Sequence, residues 1–295
     1  MKPGRRGHRT SVLPGAETTH WRLIDTGPLD GPTNMAIDEA LLLSFDPAAS
    51  LPLLRLYGWQ PPALSLGRFQ DAALVLDLDR CRTAGVTIVR RVTGGGVIYH
   101  ADELTYSIVC TPHHLAPAPS IKESFRILTS FLLIFYKKIG LEPRFATDAC
   151  HGQRLGERTA FCFAGKETYD ILVKGKKIGG NAQRRLKNII FQHGSIPLKN
   201  RAEEGGTFMR ERPHDILEQT SSLAESGIGL DEELLKSLLA ESFRERMGIT
   251  LQEDRLTTGE KAKSAELVQK YRDDGWNLRG TYLNGASLRY FSISN

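Results

Sequence analysis

The stretch from Ser120 to Gly140 constrains the fold more than any other part of the chain. Ser120 and Glu123 have the spacing of a capping box, in which each side chain satisfies a backbone N–H that a helix start leaves open. The segment they open, through Ile127, Leu128, Phe131, Leu132, Phe135 and Tyr136, is strongly apolar, and such a helix is stable only inside a core. Its unbroken apolar run, Phe131 to Tyr136, is far shorter than the ~20 residues that cross a bilayer. The spacing therefore predicts one main core helix over 120–140, with the rest of the chain wrapped around it.

The surrounding segments are mostly strand-length. Trp21 opens the folded part, and Thr33-Asn34 offers an N-cap to an amphipathic helix through Met35, Ile37, Leu41, Leu42 and Phe45. Residues 51–59 and 63–69 read as strands on either side of Gln60-Pro61-Pro62, and a short helix over 77–84 ends at Gly85. Further strands are expected over 86–92, 97–99, 104–110 and 189–198, with a hairpin from 168–173 to 177–182 turning at Lys174-Gly175. Residues 148–160 are polar and read as a loop. From Asp215 the texture becomes helical, most clearly over 230–247 and 259–273. Strands first and helices last, with no internal repeat, reads as α+β: a mixed or antiparallel central sheet flanked by helices.

Composition excludes several classes. The 295 residues are 40% hydrophobic and 25% charged, so disordered and collagen-like architectures are out. The net charge is 39 − 34 = +5, and Lys2, Arg5, Arg6 and Arg9 against Glu17 place +3 of it in the first twenty residues. That excess sits in a Gly/Pro-interrupted leader (residues 1–20, expected to be disordered) rather than on a folded face, which argues against nucleic acid as a partner. No secretory apolar region comes after the basic residues, and Cys81, Cys110, Cys150 and Cys162 form no CxxC pair. A cytoplasmic protein with reduced thiols, no metal site and no membrane partner is expected.

Four constellations can carry chemistry. Arg90-Arg91-Val92-Thr93-Gly94-Gly95-Gly96 lies between two strands; its glycines let backbone approach a ligand, though the spaced GK[ST] ending of a Walker loop is missing. Cys162, in Phe161-Cys162-Phe163, reads either as a small buried hydrophobe or as a nucleophile, and the second needs a positive neighbour supplied by the fold. Lys177, in Gly175-Lys176-Lys177-Ile178-Gly179-Gly180-Asn181-Ala182-Gln183, reads either as solvated surface or as an inward charge able to stabilise a thiolate or an oxyanion. His193-Gly194 inside an apolar strand, and His100 near Asp102, read as core histidines or as site groups.

The order of these elements decides among the readings. TNMAIDEALL, LRLYGWQPPALSLGRFQ, RRVTGGGVIYHADELTYSIV, GKKIGGNAQ and FQHGSIPL together resemble the biotin/lipoate protein ligase superfamily, from Trp21 to about Leu198, and Trp276-Asn277 resembles its C-terminal end. The resemblance implies one catalytic domain of that type over 21–295, with a C-terminal helical segment over about 210–280. Within the superfamily, Cys162-Phe163, Tyr169-Asp170 and Gly175-Lys176-Lys177 resemble the cysteine-dependent octanoyltransferases. Two features depart from these: Gly94-Gly95-Gly96 is closer to the ATP-dependent lipoate ligases, and Asn181 stands where a serine is usual.

The resemblance implies transfer of an octanoyl group from acyl carrier protein to a lysine of a lipoyl-domain protein, such as the glycine cleavage H protein or a dehydrogenase E2. Cys162 and Lys177 would be catalytic. Arg90, Arg91, Thr93, Gly94, Gly95, Gly96, His100, Gly179, Gly180, Asn181, His193 and Gly194 would bind substrate. No cofactor is implied, and the protein is expected to be a monomer. An apolar tunnel is expected between the arginine–glycine loop and the Lys177 strand. Arg90, Arg91 and the stretch Arg184, Arg185, Lys187 are candidates for docking an acidic carrier, the latter stretch equally readable as a solvated hairpin end. The alternatives are an ATP- and Mg-dependent lipoate ligase, an amidotransferase between lipoyl domains, and a non-catalytic binding protein for lipoyl domains or acyl carriers.

Overall fold

The computed structural model describes residues 20–115, 119–149, 167–212 and 215–282, so the expected leader up to residue 19, most of the polar 148–160 segment, and Cys162 lie outside the described residues.

β1 (His20–Leu29) leads into α1 (Gly31–Ser44), and β2 (Leu53–Trp59) returns parallel to β1. Asp30, rather than Thr33 or Asn34, caps α1, accepting from the Thr33 N–H at 2.7 Å, with Pro32 in the first turn where its missing N–H costs nothing. Asn34 instead turns inward and donates to the carbonyls of Leu29 and Gly58. β3 (Ala63–Leu66), α2 (Ala72–Val75), α3 (Leu78–Thr83), β4 (Thr87–Arg90) and β5 (Ile98–His100) come next, and β3 pairs with both β4 and β5 in a small sheet. As the sequence indicated, α3 starts on Asp77 and stops before Gly85, whose φ of +66° favours glycine.

After β6 (Glu103–Cys110), the expected core helix arrives as two, α4 (Ile121–Thr129) and α5 (Phe131–Lys138). The break falls at Ser130, whose hydroxyl donates to the Ile127 carbonyl and accepts from Arg246 Nε. β7 (Pro143–Phe145), α6 (Ala146–Ala149), β8 (Ile171–Val173) and β9 (Lys176–Lys177) succeed it, with β7, β8 and β9 forming a third sheet. The hairpin expected to run on to residue 182 ends at Lys177. The chain then crosses into β10 (Gly180–Leu186), which pairs with β11 (Ile189–Pro197). Gly179 makes the crossing at φ +115°, so close to β11 that an added Cβ would collide with the Ser195 carbonyl.

α7 (Ala202–Gly206), α8 (Ile216–Gln219), α9 (Glu232–Met247), β12 (Thr250–Glu253), α10 (Thr258–Tyr271) and α11 (Asp274–Arg279) complete the described chain. The last third is therefore not purely helical: β12 lies parallel to β1 and forms the edge of the main sheet, whose order is β10-β11-β6-β2-β1-β12. The mixed sheet flanked by helices agrees with the α+β expectation.

Strand alternation sorts the sheet's two faces. Leu54, Leu56, Leu104, Tyr106, Ile108 and Ile190 pack with Phe131 and Phe135 of α5 and Leu239 and Phe243 of α9 in the main core. The intervening residues Arg55, Tyr57, Thr105, Ser107, His193 and Ser195 are also buried, on the face that meets α1. One end of that second face is apolar, with Leu53, Val109 and Phe191 packed on Ile37 and Leu41 of α1, and the other end is a buried polar layer that holds the candidate site.

Candidate active site

A cleft with about 350 Å³ of empty space, part of it open to solvent, is lined by β2, β5, β6, β10 and β11. Tyr57, Trp59, Ile98 and Ala182 give it apolar and aromatic wall; Arg91, His100, Thr105, Asn181, His193 and Ser195 give it polar wall. Six of the residues singled out in the sequence meet here: Arg91, His100, Gly180, Asn181, His193 and Gly194. Trp59 stacks flat on His100, with ring centroids 3.8 Å apart. Gly194 is required where it stands, because a Cβ would collide with the Asn181 carboxamide, which accepts from the Tyr106 hydroxyl at 2.7 Å.

Two buried carboxylates organise the floor. Asp38 on α1 accepts from Arg55 Nη1 at 2.7 Å, from the Tyr57 hydroxyl at 2.8 Å and from the Ser107 hydroxyl at 2.8 Å. Burial pushes its carboxyl up, but Arg55, His193 and Ser107 more than offset this and hold it below the usual carboxylate range. His193 faces Asp38 with Nδ1 and has Nε2 2.7 Å from the Thr93 hydroxyl. Burial lowers the His193 imidazole below its ordinary value despite the pull of Asp38.

Glu103 is the second hub. It accepts from the Thr105 and Ser195 hydroxyls at 2.6 Å each and lies 2.7 Å from His100 Nδ1. Burial raises its carboxyl, and the neighbouring His100 together with these hydrogen bonds brings it below the ordinary range. Ser65 Oγ then sits 2.6 Å from both His100 Nε2 and Arg91 Nη1, and Arg91 Nη2 donates to the carbonyls of Gly94 and Gly96. The glycine loop is thus braced from Asp38 through His193 and Thr93, and from Glu103 through His100, Ser65 and Arg91. Thr93 and Gly94–Gly96 belong to this brace and are not among the cleft-lining residues. Gly67 supports the loop from behind, pressed so close to the Gly95 carbonyl that no Cβ fits.

Arg90 is the clear correction to the docking expectation. It is buried, and its guanidinium donates to the carbonyls of Gly67, Arg68, Gln70, Trp276 and Leu278. An acidic carrier cannot reach it; it clamps the 67–70 segment to α11, where Asn277 Oδ1 also accepts from the Arg90 N–H. Arg91 is equally buried and equally unsuited to surface docking. In the basic stretch, Arg184 donates to the Val92 carbonyl and Arg185 to the Ser124 hydroxyl, while Lys187 is exposed at the hairpin end.

Lys177 is buried, with its ammonium 2.7 Å from the carboxylate of Asp170, itself buried. Its carbonyl accepts from the Ser221 N–H at 2.9 Å, and it is not among the cleft-lining residues, which begin three positions later at Gly180. Sequence reasoning missed Asp38, Ser65, Glu103, Thr105 and Asp170 as site residues. The one available signal was a carboxylate standing inside an otherwise apolar run, as Asp38 does among Met35, Ile37, Leu41 and Leu42. Among the described residues, no three His, Cys, Asp or Glu side chains gather as a metal site, and no helix is long and apolar enough to cross a membrane.

Residues 30–252 match the lipoyl protein ligase A/B catalytic domain family, and the chain belongs to that family. It is 37% identical over 270 residues to a Kyrpidia tusciae protein named octanoyltransferase LipM, covering 88% of this chain and 98% of that one. It is 33% identical over 274 residues to the Staphylococcus aureus protein of the same name, covering 89% and 99%. Among solved structures, a lipoate-protein ligase A bound with ATP superposes with a TM-score of 0.73 at 24% identity, over 89% of this chain and 99% of that one. A bipartite lipoate protein ligase from Thermoplasma acidophilum superposes at 0.74 and 22%, over 92% and 100%. At that identity the structural matches speak for the fold.

Proposed function

We propose that this chain is an octanoyltransferase of lipoate biosynthesis, taking an octanoyl group from acyl carrier protein onto Cys162 and passing it to a lysine of a lipoyl domain, such as that of the glycine cleavage H protein or a dehydrogenase E2. The observation that carries the reading is the 31–37% identity, over nearly the full length of both partners, to proteins named octanoyltransferase.

In the first step the Cys162 thiolate attacks the thioester carbonyl. A carbon–sulfur bond forms to the enzyme, the bond to the carrier's sulfur breaks, and the departing thiolate takes up a proton. In the second, the deprotonated substrate lysine attacks the enzyme thioester, the carbon–nitrogen bond of an amide forms as the carbon–sulfur bond breaks, the nitrogen gives up one proton to solvent, and Cys162 leaves as thiolate. Exchange between thioesters is nearly balanced in free energy and amide formation is downhill, so no nucleotide is consumed. Lys177 supplies the positive charge that favours a thiolate and a developing oxyanion. What supports that role is its buried position at the head of the segment that leads into the cleft wall. Tyr57, Trp59, Ile98 and Ala182 offer the octanoyl chain an apolar seat.

The test is transfer in ATP-free buffer from octanoyl-acyl carrier protein to a purified lipoyl domain, read as the mass of the domain. The wild type modifies the domain, and Cys162→Ala does not. Modification that requires ATP and free octanoate or lipoate, and survives Cys162→Ala, would make the chain a ligase instead.

A further inference from the structure

A thioester carries two limbs on one carbonyl carbon, the acyl chain and the thiol arm, and both must be accommodated where the nucleophile's activating charge sits. A second cavity, with about 340 Å³ of empty space, part of it open to solvent, lies beside the cleft and is lined by Ala101, Lys199, Asn200, Arg201, Thr220 and Ser221 among others. Glu103 stands between the two: it lines this cavity, while its partners His100, Thr105 and Ser195 line the cleft.

The second cavity also adjoins Lys177 through the main chain. Lys177 forms a bridge with Thr220, and its carbonyl receives the Ser221 N–H. The segment from Lys177 to Gly180 thus meets residues of this hydrogen-bonding cavity at its first residue and lines the aromatic cleft at its last. The character of the second wall differs from the first. Among the described residues the Ser221 hydroxyl has only long contacts, 3.5 Å to the Ser222 carbonyl and 3.4 Å to the Ser226 hydroxyl, leaving it able to bond a ligand. Lys199 and Arg201 stand at the partly exposed rim, both on Asp102.

We propose that this second cavity receives the donor's thiol arm: a flexible chain of neutral amides with an anionic phosphodiester at its far end, its sulfur directed to Lys177 and its acyl chain to the cleft. Ser221 offers a hydroxyl partner for the amides, while the Thr220 hydroxyl and the Asn200 carboxamide are held by Ile216, Glu225 and Ala202 and shape the wall, and the rim cations Lys199 and Arg201 face the anionic end. The proposal rests on the octanoyltransferase reading.

The test compares two donors, octanoyl-pantetheine and the truncated octanoyl-N-acetylcysteamine, on the wild type, Ser221→Leu and Ala101→Leu, both substitutions filling the cavity. The rate at which preformed octanoyl-enzyme discharges to the lipoyl domain is measured on the same proteins, which also reports that they are folded. The expected result is a KM for octanoyl-pantetheine raised about tenfold, equivalent to ~1.4 kcal/mol of lost binding, with the truncated donor and the discharge step unchanged. Equal effects on both donors, no effect on either, or a loss confined to discharge would each overturn the inference while leaving octanoyl transfer standing. A wild type acylated by neither donor but acylated by octanoyl-acyl carrier protein would overturn the inference, and one acylated by none of the three would remove the octanoyltransferase reading and the inference with it.

Discussion

Removing the Asp38 carboxylate should destabilise the protein more than almost any other single truncation. Asp38→Ala leaves the guanidinium of Arg55, which is fully buried, with the Thr26 hydroxyl and Asn34 oxygens but no counter-charge. Breaking a buried ion pair from one side costs about 3–5 kcal/mol. The Tyr57 and Ser107 hydroxyls lose their acceptor at 2.8 Å as well, and an orphaned buried donor costs about 1–3 kcal/mol. These losses share one site and are not additive, so the expected total is about 4–6 kcal/mol, against a typical stability of about 5–15 kcal/mol. Urea denaturation at pH 7, comparing wild type, Asp38→Asn and Asp38→Ala, measures it. The asparagine variant retains an acceptor for the hydroxyls and should fall between the other two. A loss below about 1.5 kcal/mol for Asp38→Ala, at unchanged m-value, would refute the claim that this carboxylate holds the polar layer together.

Acid should destabilise the fold in a defined direction. Asp38 and Glu103 titrate below their ordinary range in the folded state, so the stability they contribute is present above the unfolded carboxylate values near 4 and is lost as pH falls below them. His193 is also lowered; the unfolded chain therefore takes up a proton first, and stability declines as pH drops below about 6.5. The melting temperature should fall steadily from pH 7.5 to 4, and a flat or rising profile would contradict the assignment. Gly67→Ala should displace the glycine loop, since its Cβ would strike the Gly95 carbonyl; acylation should slow at least about tenfold while the far-ultraviolet circular dichroism is retained, and full activity would show the loop to be tolerant.

Local signals carried much of the architecture. The capping box at Ser120, the turn at Lys174-Gly175 and the glycine closing α3 each act within a few residues, and all three appear in the structure. What escaped were features decided at long range. β12 is a short, mostly exposed strand with no apolar alternation, fixed by pairing with β1 across more than two hundred residues. The break at Ser130 is met by Arg246 from α9, a contact made across more than a hundred residues. The same division runs through the site. The order of motifs pointed to Arg91, His100, Asn181 and His193, which converge on one cleft. It could not separate Arg90 from Arg91: both are arginines at a strand end, and only the fold shows that one clamps α11 while the other braces the glycine loop. Glu103 and Asp170 were invisible as hubs because their partners, Ser195 and Lys177, are brought to them by tertiary structure.

The central claim is that the octanoyl group rests on Cys162 with Lys177 assisting. Intact-mass measurement after mixing with octanoyl-acyl carrier protein, and then peptide mapping, tests it most directly. The account predicts one added octanoyl group on the Cys162 peptide of the wild type, much slower addition in Lys177→Ala, and none in Cys162→Ala. Addition at another residue, or a wild type that transfers octanoyl to a lipoyl domain without ever carrying it, would contradict the account.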